Sequence, residues 1–325
     1  MAQELMYREI GTAFAIETRG LTKQFERYIA VNEVELQVKR GEVYGLIGPN
    51  GAGKTTLIRM LAAAEEPTLG EIYINGERLQ RDDSNPTLKE KIGYLPDDFP
   101  MYDDLTVWDY LDYFARLYCL KQPHRRRRLH EVLDLVQLGN KRNSLIATLS
   151  RGMKQRLSLA RTIIHEPILL LLDEPVSGLD PIARQQFREI IKILQEAGMT
   201  ILISSHVLSD LAELCTSVGI MELGYLVESA SLKTLYQRLS RQQIILGTLG
   251  KLDSLQSELN NCPLVEGWEL LPESGRVRVN FSGGESDAAA LLRSLISAEI
   301  PLSEFHCTQE DLETIFLKMG HKQAS

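Results

Sequence analysis

Cysteine is scarce. Four residues in a chain of 325, with no CxxC pair among them, leave neither a disulfide framework nor a cysteine zinc site. Cys119, Cys215, Cys262 and Cys307 are scattered and read as reduced thiols of a cytosolic protein. A surplus of positive charge is also missing: 36 Lys and Arg stand against 44 Asp and Glu, a formal net charge of -8. Phosphate-backbone contacts need a basic surplus, so no direct nucleic-acid partner is expected. Apolar runs are short. The run Ile168 to Leu172 falls far below the roughly 20 residues that cross a bilayer, so no transmembrane helix is expected. The first residues, MAQELMYREIGTAFAIETRG, mix charge into their apolar stretch and lack the layout of a signal peptide. Internal repeats and low-complexity segments are absent as well.

What is present is ordinary globular composition, 44% hydrophobic and 25% charged. The length predicts one large domain and a smaller one. Strands and helices alternate through the first two thirds, the pattern of an α/β fold with a mainly parallel sheet. Glu42 to Ile47 is a short apolar strand before a glycine-rich turn, and Thr55 to Ala64 follows as a helix. Glu71 to Gly76 alternates as a half-buried strand and ends in Asn75-Gly76, a hairpin dipeptide. Residues from about Thr106 to Leu138 read as mostly helical, with Tyr110, Leu111, Phe114, Leu117 and Tyr118 at core-packing spacing. Within them lies a four-arginine run, Arg125 to Arg128. It reads as a solvated helix face, or as a contact for acidic lipid head groups or an acidic partner. Ile168 to Leu172 and Thr200 to Ser204 read as buried strands, with a helix over Phe187 to Gln195 between them. From about Gln242 the order becomes β-α-β-β-α-β, with a hairpin around Pro272 to Gly275 and a last strand SEFHCT, resembling a split, ferredoxin-like unit. A short helix, Asp311 to Met319, is expected to close the chain.

Chemistry concentrates in three places. Gly48-Pro49-Asn50-Gly51-Ala52-Gly53-Lys54-Thr55-Thr56 fits GxxxxGK[ST] between a strand and a helix. Glycines let the backbone wrap a phosphate chain with its N–H groups inward, and the helix N-terminus aims positive potential at the same charge. Lys54 is placed to reach the β- and γ-phosphates and Thr55 to ligate Mg²⁺. Second, the apolar strand at Ile168 to Leu172 ends in Asp173-Glu174. That puts carboxylates at the carboxyl edge of a sheet, Asp173 for Mg²⁺ and Glu174 as general base on the attacking water. Third, Leu149-Ser150-Arg151-Gly152-Met153-Lys154-Gln155 opens another helix, with Ser150 a good N-cap and Gly152 exposing backbone N–H.

That third segment resembles the LSGGQ signature of ATP-binding cassette (ABC) proteins, in a form similar to those of ABC exporter ATPases. The resemblance covers roughly residues 15 to 235. It implies a P-loop ABC ATPase fold: a mainly parallel sheet core, a helical subdomain at about 97–165, an antiparallel β part, and a small α+β accessory domain over 236–325 after a nucleotide-binding domain over 1–235. It also implies that Ser177-Gly178-Leu179-Asp180 is the D-loop, with Asp180 near nucleotide. His206, after Ser204-Ser205, becomes the switch histidine that contacts the γ-phosphate and holds the attacking water and Glu174 in line. Phe25, in LTKQF, matches the adenine-stacking aromatic, with Tyr28 the competing ring. Asp97 stands where the family usually has a glutamine that senses Mg²⁺, and it remains a candidate metal ligand. The ending Asp311-Leu312-Glu313-Thr314-Ile315-Phe316-Leu317 resembles the ending of exporter subunits.

By the same resemblance, two cassettes pack head to tail as a homodimer or paired cassette, with Ser150 and Gly152 of one chain completing the ATP site of the other. A separate transmembrane permease is then required, placing the chain in the cytoplasm, peripheral on the inner face of the membrane. Docking is expected on the segment Asp97 to Leu120, whose acids Asp97, Asp98, Asp103 and Asp104 suit a basic coupling helix. The expected function is the ATP-hydrolysing motor subunit of an exporter. Three other readings compete: a soluble ABC ATPase on nucleic acid or ribosomes, a regulator with a dead site, and a GTPase. The second is opposed by the intact Lys54, Asp173, Glu174 and His206. The GTPase is opposed by Asn140-Lys141-Arg142-Asn143, which lacks the guanine-selecting Asp.

Overall fold

The computed structural model describes residues 14–80, 86–98, 101–207, 211, 214–239, 242–249, 252–271 and 275–309. The chain divides into two compact units, 1–232 and 233–325. In the first, β1 (Phe14–Phe25), β2 (Tyr28–Val34) and β3 (Gln37–Lys39) lead into β4 (Val43–Ile47) and helix α1 (Lys54–Leu61). β5 (Leu69–Ile74), β6 (Glu77–Arg78), α2 (Pro86–Lys89) and β7 (Ile92–Leu95) follow, then helices α3 (Val107–Leu117), α4 (His124–Leu135) and α5 (Arg151–Ile163). β8 (Leu169–Leu172), α6 (Pro181–Glu196), β9 (Thr200–Ser205), β10 (Ser217–Glu222) and β11 (Tyr225–Ser231) complete it.

These strands form two sheets. One has the order β11-β10-β4-β9-β8-β7, parallel from β10 to β7, with β11 an antiparallel edge. Strands β4, β8 and β9 are buried at every residue, as expected of parallel strands covered on both faces. The other sheet is antiparallel, β2-β1-β5-β6 with β3 also on β1. Its turn at Asn75-Gly76 has positive φ at both residues, 50° and 83°, as a two-residue hairpin requires.

The mostly helical stretch expected over Thr106 to Leu138 consists of two helices, α3 and α4. Thr106 caps α3 by accepting from the Asp109 N–H at 3.1 Å. The helix ends at Leu117, Cys119 takes a left-handed φ of 57°, and Pro123 disfavours helix at the residue before it. Helix α6 starts earlier than the periodicity suggested, at Pro181, because Asp180 caps it and proline fits the first turn.

In the second unit, β12 (Gln242–Thr248), α8 (Leu252–Asn261), β13 (Val265–Leu271), β14 (Arg276–Phe281), α9 (Glu285–Ser297) and β15 (Leu302–Gln309) follow helix α7 (Leu232–Leu239), which spans the division. The sheet order is β13-β14-β12-β15 with every neighbour antiparallel, the ferredoxin-like arrangement. Leu255 and Leu259 of α8 and Leu291 and Leu295 of α9 pack with Ile244, Leu246, Val277, Val279 and Phe281 in a core of its own. The closing helix expected at Asp311 to Met319 lies outside the described residues, as do Pro272 to Ser274 of the expected hairpin.

Candidate nucleotide site

Parallel pairing brings the carboxyl ends of four strands to one edge of the sheet. Ile47 pairs with Ser205, Leu172 with Ile203 and Leu95 with Leu172. The residues that leave these strands are therefore neighbours: Gly48 after β4, Asp173 and Glu174 after β8, His206 after β9 and Asp97 after β7. Ligands bind at this edge in open α/β sheets.

The loop Gly48 to Gly53 is shaped by its glycines. Gly51 and Gly53 have φ of 83° and 100°. A Cβ on Gly53 would meet the Ala30 carbonyl at 2.2 Å, and one on Gly48 the Met221 carbonyl at 2.2 Å. Only glycine fits either place. Lys54 is almost buried and its Nζ donates to the carbonyls of Gly48 at 2.7 Å and Pro49 at 3.2 Å. It also lies 3.4 Å from Glu174 Oε1. The other carboxylate oxygen of Glu174 meets His206 Nδ1. Glu174 thus stands between a cation and an imidazole, on a residue whose φ is positive, 47°.

Asp173 is 1% exposed. Its Oδ1 accepts from Ser204 Oγ at 2.7 Å, and Ser204 Oγ in turn accepts from the Glu174 N–H at 2.9 Å. Burial pushes the Asp173 carboxyl above its ordinary range, the Ser204 and Thr55 hydroxyls pull it back, and Glu174 adds to the rise. Burial likewise raises Asp97, helped by Asp173, Glu174 and Asp98 and opposed by Arg151. A cavity of about 350 Å³ opens over this edge, bounded by Gly51 to Thr56, Asp97, Glu174, Ser177 and His206, with Tyr28 at its wall.

Asp173 Oδ2 is buried with no hydrogen-bond partner among the described residues. With the Thr55 hydroxyl beside that carboxyl, this is a donor set for a hard cation that takes its other oxygens from water and phosphate. Among the described residues no cluster of three or more His, Cys, Asp or Glu forms a metal cage. The donors therefore fit Mg²⁺ held partly by a substrate better than an ion held by protein alone.

The ABC transporter family model matches residues 31–177. The uncharacterized ABC transporter ATP-binding protein YcbN of Bacillus subtilis (strain 168) is 33% identical over 94% of this chain and 97% of its own length. The chain belongs to the ATP-binding proteins of ABC transporters. The Nod factor export ATP-binding protein I of Cupriavidus pinatubonensis (strain JMP 134 / LMG 1197) is 33% identical over 80% of this chain and 78% of that protein. A solved ATP-binding subunit of an ABC transporter superposes with a TM-score of 0.62 at 32% identity, covering 69% of this chain and 92% of that one. The protein is accordingly an ABC ATPase with the P-loop cassette fold.

Other predicted residues of the cassette lie elsewhere. Ser150 caps α5 by accepting from the Met153 N–H at 3.3 Å, and Asp180 caps α6 by accepting from the Ala183 N–H at 2.9 Å. A Cβ on Gly152 would meet Ala183 Cβ at 2.6 Å, so this glycine lets α5 and α6 approach closely. None of the three borders the cavity that holds Lys54. Phe25 does not border it either. Tyr28 does, and the two rings lie tilted by 32° with centroids 5.4 Å apart. Thr56, Asn50 and Ala52 border the cavity. The acids of the expected docking patch are not all free, since Lys154 pairs with Asp103 at 2.8 Å.

Two residues carry more than the sequence assigned them. Ser204 joins the two acids, and Arg151 donates from Nη2 to the Ser177 carbonyl at 3.0 Å. Its guanidinium occupies the space beside Gly178, where a Cβ would meet it at 2.6 Å. The pattern signal for Arg151 is its place in the LSRGMKQ segment, where LSGGQ has glycine.

Proposed function

We propose that this ABC ATPase is the motor subunit of an exporter, hydrolysing ATP at the edge formed by Gly48 to Thr56, Asp173, Glu174 and His206. The observation that carries the reading is the convergence of Lys54 and His206 on the two oxygens of Glu174 beside the glycine loop. The loop N–H groups and Lys54 bind the triphosphate. Glu174 accepts a proton from the attacking water as general base, and His206 orients that carboxylate. Mg²⁺, held by Thr55 and Asp173 with Asp97 nearby, supplies neutralising charge to the phosphates when bound. Tyr28, at the cavity wall, takes the adenine-stacking place in preference to Phe25.

Ser150, Gly152 and Asp180 lie away from this cavity, which supports a head-to-tail pair in which they face the partner's ATP. ATP then holds two copies together and hydrolysis releases them, shifting an open–closed equilibrium. Residues 1–235 form the nucleotide-binding domain in this reading, and 236–325 a dimerisation or regulatory module. No described helix is long and apolar enough to cross a membrane. The coupled permease is therefore another chain, and the ATPase sits against the cytoplasmic face of the membrane, docking through Asp97 to Leu120. Bacterial relatives named for transport and export support this over action on nucleic acid.

Glu174→Gln tests the reading. Turnover should fall by about 10²–10⁴-fold, and light scattering should find an ATP-bound dimer. A variant that stays monomeric with ATP overturns the paired site.

A further inference from the structure

A second cavity, of about 450 Å³, opens in the helical region between α3 and α4. Four arginines border it: Arg116 of α3, Arg125 and Arg126 of α4, and Arg142 of the segment that follows. Asp112 is the one carboxylate among the bordering residues, and it already holds two of the four. Arg116 Nε lies 2.7 Å from its Oδ2 and Arg125 Nε 2.9 Å from its Oδ1. Arg126 and Arg142 have no ion pair among the described residues. Trp108 closes the wall, its ring 4.9 Å from that of His130.

Guanidinium stays charged at every physiological pH. Four of them around one carboxylate therefore repel each other unless an anion joins them. The solvated-face reading of the arginine run fits Arg127, 70% exposed and paired with Glu131. It does not fit Arg125, whose side chain is turned inward at 16% exposure, nor the arrival of Arg142 from another segment. The two unpaired guanidiniums each present a planar fork. A carboxylate, with two oxygens, satisfies one fork, whereas a phosphate group has enough oxygens for both.

We infer that this cavity is an anion site for a phosphate group, free in solution or carried by a lipid head group. Trp108 is its reporter. In the full chain carrying Trp268→Phe, Trp108 is the sole tryptophan. Its emission is followed against sodium phosphate, against sodium chloride at equal ionic strength, and against vesicles of phosphatidylglycerol or of phosphatidylcholine. A saturable response to phosphate identifies the free anion. A response to phosphatidylglycerol vesicles alone identifies the head group. Either supports the site, provided that Arg126→Glu with Arg142→Glu weakens it by at least about tenfold, the loss of one charge-assisted hydrogen bond. Both side chains are exposed and neither borders the cavity over the glycine loop, so hydrolysis by the double variant should be unchanged. The inference is overturned by the absence of a saturable response to either phosphate probe. It is overturned equally by a response that chloride reproduces or that the double variant retains.

Discussion

Ser204 holds the two acids of the ATP site in register. Its hydroxyl donates to Asp173 Oδ1 at 2.7 Å and accepts from the Glu174 N–H at 2.9 Å, in a place with no solvent access. Ser204→Ala leaves two buried polar groups unpaired, a loss of about 1–3 kcal/mol. Urea unfolding should register it, and kcat should fall more than the KM for ATP rises, because the carboxylates are misplaced rather than the loop. An unchanged midpoint and kcat would remove Ser204 from the site. Asp97 makes the opposite case. Asp173, Glu174 and Asp98 all press on it, and Arg151 is the cation that relieves it. Asp97→Gln removes a repelled charge, so ATP hydrolysis should remain detectable in a steady-state assay. Complete loss would show that the carboxylate is required. The glycine loop, Lys54, Asp173 and Glu174 were legible in the sequence because their chemistry is written in adjacent residues. Ser204 was not legible as a bridge. It reaches Asp173 only through the pairing of β8 with β9, which places Leu172 opposite Ile203. Which of Phe25 and Tyr28 borders the cavity was equally hidden, since it depends on which way the β1–β2 turn presents its rings.

Helix α5 shows how an element is held at both ends. Ser150 caps its first turn, and Arg128 of α4 closes its last, donating to the carbonyls of Ile163 at 2.8 Å and Ile164 at 3.3 Å. A cation at a helix C-terminus is favourable on both hydrogen-bonding and dipole grounds. Arg128→Ala should therefore cost about 1–2 kcal/mol in urea unfolding, while its exposed neighbour Arg127→Ala should cost under about 0.5 kcal/mol. Equal losses would refute the cap. The run Arg125 to Arg128 reads in the sequence as one uniform face, yet its members do different things, because helical geometry turns successive side chains by about 100°. Just beyond α5, His165 stacks on Tyr118 with ring centroids 3.9 Å apart and pairs through Nε2 with the Ile92 carbonyl. Burial lowers its pKa, so the folded chain favours neutral imidazole. Its stabilising share is complete above the ordinary histidine value of about 6.5 and is lost as pH falls below it toward the folded value. His165→Gln should flatten the acid side of the stability profile. A variant with the same slope as the parent would assign the loss to other groups.

At the scale of the whole molecule, the two units follow different rules of legibility. The order of strands and helices in the second unit was readable from alternation, and its sheet has the expected ferredoxin-like order. The first unit's catalytic arrangement is not complete within one chain on the proposed reading, and no single-chain feature states that directly. Ser150 and Lys54 are each well placed in their own elements, yet only one borders the cavity over the glycine loop. A complementation experiment separates a paired site from a self-sufficient one. Ser150→Asp retains an N-cap for α5 but sets negative charge where the partner's triphosphate would lie. Lys54→Ala disables the loop of its own chain. Each variant alone should be inactive, because both sites of each homodimer carry one defect. In a mixed dimer both defects fall in one site and the other is intact. Random pairing of equal amounts should then restore up to about one quarter of the unmodified rate under twofold symmetry. If Ser150 served its own chain's nucleotide, the mixture would stay as inactive as its components. Mixing the purified variants and measuring phosphate release over time decides between these, and recovery that scales with the product of the two concentrations would identify the active species as the dimer of unlike chains.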